Sequence, residues 1–223
     1  MSVLSKRSEK TLRRRPPLAT ISGLTAVAVC VALALVAYAY YPGAFSPAAN
    51  WISDLGNTLL SPRGSMFFRA DMVSVGAVLG AFFVGLAAWH HGQRPIFRAL
   101  LALGQFSGLV AAAALVMTGI YSENDRATHA LWVTILFIAM ASAVWFIGWA
   151  PVWHPRLPQK IPYIAWAACA ADLVAVVAQR HWLEWLAVGL SLSFVAAVAL
   201  GTWSMAHIAV PQTIVDKAAL AAP

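Results

Sequence analysis

Apolar and polar positions alternate in long blocks along this chain. Leu18 to Tyr41 is apolar throughout, about the ~20 residues needed to cross the hydrocarbon of a bilayer. Similar runs follow at about 66–89, 99–121, 128–149, 163–178 and 182–208, separated by short polar turns. The blocks predict six membrane-spanning helices in one domain, residues 18–208, between a basic tail (1–17) and a C-terminal tail (209–223). The first run competes with a signal peptide, but it is too long for an ordinary apolar signal core of about 7–15 residues. The expected class is an all-α polytopic bundle.

One connection breaks the pattern. Ser46 and Pro47 read as a helix start, an N-cap oxygen followed by a residue whose missing N–H costs nothing there. Asn50, Ser53, Asp54 and Asn57 then fall at i, i+3, i+4 and i+7, one face of an α-helix. Trp51, Ile52, Leu55 and Leu59 are expected on the opposite side. The segment predicts a short amphipathic helix lying at the membrane surface after helix one.

Composition supports the membrane reading. Hydrophobic residues make up 61% of the 223, and charged residues only 10%, against about 25% in a soluble domain. The net charge of +7 does not point to nucleic acid, because no aromatic pattern is interleaved on a basic surface. Its distribution instead sets orientation. Arg63, Arg69, Arg126 and Arg180 fall on one side, and the other eleven of the fifteen basic residues on the opposite one. The positive-inside rule places both termini in the cytoplasm of a plasma-membrane protein. Cys30 and Cys169 lie far apart inside apolar runs, so neither a disulfide framework nor CxxC chemistry is expected. Gly76…Gly80 and Gly104…Gly108 are candidate close-packing seams.

That topology collects ionisable groups on the outer side. The candidate site residues are Asn50, Ser53, Asp54, Asn57, Arg63, Asp71, Glu123, His129, Arg180 and His181. Asp172, near the middle of the fifth run, should face the bundle and find a partner, since an acid at mid-helix costs about 2.5–3.5 kcal/mol on insertion scales. Glu184, with Trp182 and Trp185, reads as an interfacial anchor.

The run Asn50-Trp51-Ile52-Ser53-Asp54-Leu55-Gly56 resembles the N-x-x-S-D-L-G signature of a prokaryotic six-helix membrane family, domain of unknown function 998. Arg63 and the pair His129-Ala130 fit the same picture. The resemblance spans about residues 18–208; more remotely, the Ser-Asp pair is similar to one in DRAM-type and Sfk-type membrane proteins. It implies an integral membrane protein and supplies no mechanism.

Three functions compete at this level. The first is binding of a membrane lipid headgroup or small polar ligand in an outward pocket, with Asn50, Ser53, Asp54 and Arg63 on the headgroup and Arg180 as a second cation. The second is an intramembrane lipid hydrolase. It would use either a divalent metal held by Asp54, Asp71, His129 and His181, or Ser53 as nucleophile with His129 as base. No HExxH or GxSxG run supports it. The third is a small transporter using Asp172 and Asp71, though no internal repeat is visible.

Overall fold

The computed structural model describes residues 17–90, 94–153 and 157–207, so both tails lie outside the described residues. Six helices are long and apolar enough to cross a membrane. They are α1 (Leu18–Ala39), α2 (Ser65–Gly85), α3 (Pro95–Ile120), α4 (Arg126–Gly148), α5 (Ile161–Ala178) and α6 (His181–His207). The chain is an all-helical integral membrane bundle, as the apolar blocks predict.

Helix ends follow local chemistry. Pro95 starts α3 four residues before the expected position. Its fixed φ suits a first helical turn, and Arg94 before it is extended. Arg98 therefore belongs to the helix rather than to the preceding turn. Asp125 caps α4 by accepting from the Thr128 amide at 3.4 Å. Gln179 ends α5 in the left-handed region, with φ 44°, and only Arg180 separates it from α6. α2 tightens into a 3-10 turn over Leu86–His90, and a single helical turn, Ala150–Trp153, prolongs α4.

Each helix packs on its sequence neighbour, and α6 returns to α1, closing a ring. Thr20 Oγ1 on α1 donates to the Ala199 carbonyl of α6 at 3.0 Å, which ties the closing seam. The ring is filled unevenly. Near the start of α1, Phe82, Phe83, Leu86, Val144, Ile147, Phe194 and Val198 are wholly buried and pack into one cluster. Toward the other end the interior holds a cavity. That second end, called the polar end below, carries the connections after α1, α3 and α5. They meet one another: the Thr58 amide donates to Asn124 Oδ1 at 3.0 Å, and the Trp51 ring lies 4.5 Å from that of His181.

A short helix does follow α1, but it is not the α-helix expected from Ser46. Residues 47–49 form a turn, and a 3-10 helix covers only Ile52–Gly56. Asn50 spends its side chain on the local backbone and on Asp54: Oδ1 accepts from the Ser46 amide, and Nδ2 donates to Asp54 Oδ2. Side chains that bond nearby backbone compete with α-helix. The predicted faces change as a result. Ser53, Asp54, Leu55 and Gly56 are all buried, whereas Leu59 is 82% exposed. The segment plugs the polar end of the ring instead of lying flat on a surface.

Candidate functional site

The 3-10 turn is held from below by α6. Glu184, buried at 6% exposure, accepts from the Ile52 amide at 2.9 Å and also engages the Ser53 amide. The Trp185 indole donates to the Asn50 carbonyl at 3.1 Å, and Asp54 Oδ2 accepts from the Trp51 amide at 3.1 Å. A buried carboxylate needs donors of this kind. Here the turn's own free amides supply them, so Glu184 and the turn fix each other.

Below the turn lies a cavity of about 120 Å³, roughly eight times the space one water requires. α1, α2, α4 and α6 build most of its wall, with two residues from α3. The wall is mostly aliphatic and aromatic, interrupted by Ser53, Asp71, Thr118, His129, Glu184 and Ser191. Beside it, between α4 and α5, runs a groove of about 310 Å³. Trp51, Glu123, Arg126 and Gln179 line the groove, which shares Ser53, His129, Val133, Phe137 and Glu184 with the cavity. An apolar chamber and a polar cleft thus have one wall in common.

Two groups on the chamber wall stand out for what they lack. Asp71 is 0% exposed, and neither carboxyl oxygen has a hydrogen-bond partner. The Cys30 thiol is its neighbour, a weak donor at best. His129, 6% exposed, places Nδ1 2.7 Å from the Tyr121 carbonyl. A carbonyl only accepts, so Nδ1 carries a proton, and in the neutral ring Nε2 is then a bare lone pair. Nε2 has no partner. Native structures leave few buried polar atoms unpaired, and those that remain call for an explanation.

In the connection before α4, Glu123 lies against Asp54. Burial first, then the Asp54 charge and carboxyl, push Glu123 up to about 6, against opposing pulls from Asn57 and Arg126. The Tyr41 hydroxyl is pushed up as well, by burial and then by the Asp54 and Glu123 charges. Asp54 and Glu123 thus lie close together at the polar end.

Not every expected residue joins the site. Ser53, Asp71, Glu123 and His129 line one or both spaces. Asn50, Asp54 and Asn57 support the turn and stand behind Glu123. Arg63 and Arg180 are exposed and line neither space, so the two cations expected on a headgroup are not there. Sharing a side of the membrane did not bring them within reach. His181 packs on Trp51 and also lines neither space. No three His, Cys, Asp or Glu side chains gather closely enough to hold a metal among the described residues; His181 on Trp51 and Asp54 on the turn are spoken for elsewhere. Ser53 and His129 share a wall, yet His129 Nε2 accepts nothing from the serine hydroxyl. Asp172 is fully buried and takes the Ser191 hydroxyl at 3.2 Å on each oxygen, an α5–α6 clasp beside the chamber wall. Glu184, Arg126 and Gln179 were not expected in the site. Glu184 falls among interfacial tryptophans and reads as an anchor until the turn is seen above it.

Fold and site together define a multi-pass membrane protein with a half-hollow six-helix ring and a mostly apolar chamber beneath a capped end. No protein-family model, curated protein or solved structure matches the chain.

Proposed function

We propose that the protein binds a lipid or other amphiphile, its apolar part in the chamber and its polar part in the adjoining groove. The observation that carries this reading is the shared wall. One side is an apolar hollow of ligand-site character, and the other is a cleft bearing charge, with partnerless polar atoms at the boundary. A hydrolase would need the Ser53 hydroxyl or a metal to engage His129, and neither arrangement is assembled. A transport path would need the chamber to continue through the ring, whose far half is filled by Phe82, Phe83 and Phe194. Binding requires only what is present.

The same reading takes the chain as a relative of the six-helix family that its Asn50–Gly56 motif resembles, with the polar end facing outward across the plasma membrane and membrane lipid as the partner. Val133 stands in both walls, and Val133→Phe puts a ring where the two spaces meet. Native mass spectrometry of the protein released from mild detergent tests the reading. The wild type should retain a lipid-sized adduct that Val133→Phe loses while still folding. A wild type that carries no adduct, and whose melting temperature no amphiphile shifts, would overturn it.

A further inference from the structure

The unfilled polar atoms of chamber and groove are all of one kind. Asp71 Oδ1 and Oδ2, His129 Nε2 and Glu123 Oε2 are buried without partners; the imidazole nitrogen accepts in the tautomer described above, and the carboxyl oxygens accept when ionised. The other partnerless buried atoms, on Ser61 and Trp166, line neither space. A site with vacant acceptors on both sides of its shared wall is completed by a ligand that brings donors. Charge points the same way. Among the described residues Asp71, Glu123 and Glu184 line the two spaces against one lysine or arginine, Arg126. Trp51 also lines the groove, and indole rings attract cations.

We infer that the amphiphile is a protonated amine, its N–H groups donating to the partnerless carboxylate and imidazole acceptors and its chain lying in the apolar chamber. The inference rests on the binding reading above and narrows it from amphiphiles in general to cationic ones with N–H donors. It does not use Arg63 and Arg180, the two cations expected on a headgroup. Two sources share the required chemistry: an aminophospholipid, whose phosphate Arg126 would meet, and a phosphate-free long-chain amine.

A charge series at constant chain length is the test. Detergent-purified full-length protein is titrated with dodecylamine, dodecyltrimethylammonium and dodecanoate, read by thermal shift and native mass spectrometry. Dodecylamine should bind best. The trimethylated probe keeps the charge but has no N–H. It should bind roughly tenfold or more weakly, the worth of one charge-assisted hydrogen bond. Dodecanoate should not compete. Asp71→Asn should abolish the preference for amine over carboxylate. Glu123→Gln, on the more open groove, should reduce it, and covers the case in which the buried variant does not fold. A fourth probe, phosphatidylethanolamine, separates the sources. Competition with dodecylamine assigns an aminophospholipid, and failure to compete assigns a phosphate-free amine. Dodecanoate binding as tightly as dodecylamine would overturn the inference and leave amphiphile binding standing. Failure of every probe would remove the binding reading itself.

Discussion

Single buried charges govern behaviour at the scale of the residue. Among the described residues Asp172 takes its side-chain hydrogen bonds from Ser191 alone. Ser191→Ala leaves a fully buried carboxyl unpaired and should cost about 1–3 kcal/mol, seen as a lowered melting temperature in detergent. The double variant Asp172→Val with Ser191→Ala removes both partners and should recover most of that loss. Glu123 behaves differently because it titrates in an accessible range. Its ordinary value of 4.5 rises to about 6 in the fold, so between those values the folded state holds its proton more tightly than the unfolded state. Stability should be highest below pH ~4.5 and fall as pH rises through about 6. Burial first, then Asp54, press on the charged form, while Asn57 and Arg126 ease it. Glu123→Gln should flatten this part of the melting-temperature profile; an unchanged slope would assign it to another group. Residue identity was legible here, and partnership was not. Asp172 announces itself as an acid in an apolar run, but Ser191 is one serine among several. Arg63 and Arg180 looked like site residues because topology assigns a side of the membrane, and a side is wider than a hydrogen bond.

Elements pack by the same logic of contact. The two glycine pairs looked like seams of one type, and they are not. Gly104 faces Ile147 on α4 while Gly108 faces Phe83 on α2, so that pair serves two different neighbours. In the other pair only Gly76 is pressed against a helix. A Cβ there would sit 2.6 Å from Val116 Cγ2 and 2.8 Å from the Ala112 carbonyl oxygen of α3. At Gly80 the nearest atom is 3.9 Å away. Gly76→Ala should therefore destabilise the α2–α3 contact by about 1–3 kcal/mol. Gly80→Ala should be neutral or slightly favourable, since alanine is the better helix former. Equal losses at both positions, by denaturant or thermal melting, would count against the contact described. The spans themselves were readable because apolar runs of this length have few alternatives in lipid. The 3-10 turn was not readable as such. Its i, i+3, i+4 spacing fits an α-helix face equally well, and what decides against it is Glu184, distant in sequence, taking the turn's amides.

For the whole molecule, ring closure matters more than any one helix. Because α6 returns to α1, the large side chains at one end seal the ring, while the 3-10 turn caps the other. The result is a chamber beneath the capped end that shares a wall with the α4–α5 groove, which makes the side of the membrane decisive for which leaflet supplies the ligand. Of the fifteen basic residues the polar end carries Arg63, Arg69, Arg126 and Arg180, so the positive-inside rule predicts that it faces outward, which labelling tests. Leu59, 82% exposed, marks the polar end, and His207, exposed at the close of α6, marks the far one. In intact cells an impermeant maleimide should label Leu59→Cys, whereas His207→Cys should react only after lysis. The native thiols interfere little, Cys30 being buried and Cys169 half-buried within spans. The opposite labelling pattern would turn the chamber toward the cytoplasm, and the ligand would then have to come from the inner leaflet. Labelling of both positions from outside would be incompatible with α6 crossing the bilayer, and the ring as a membrane-spanning unit would fall with it.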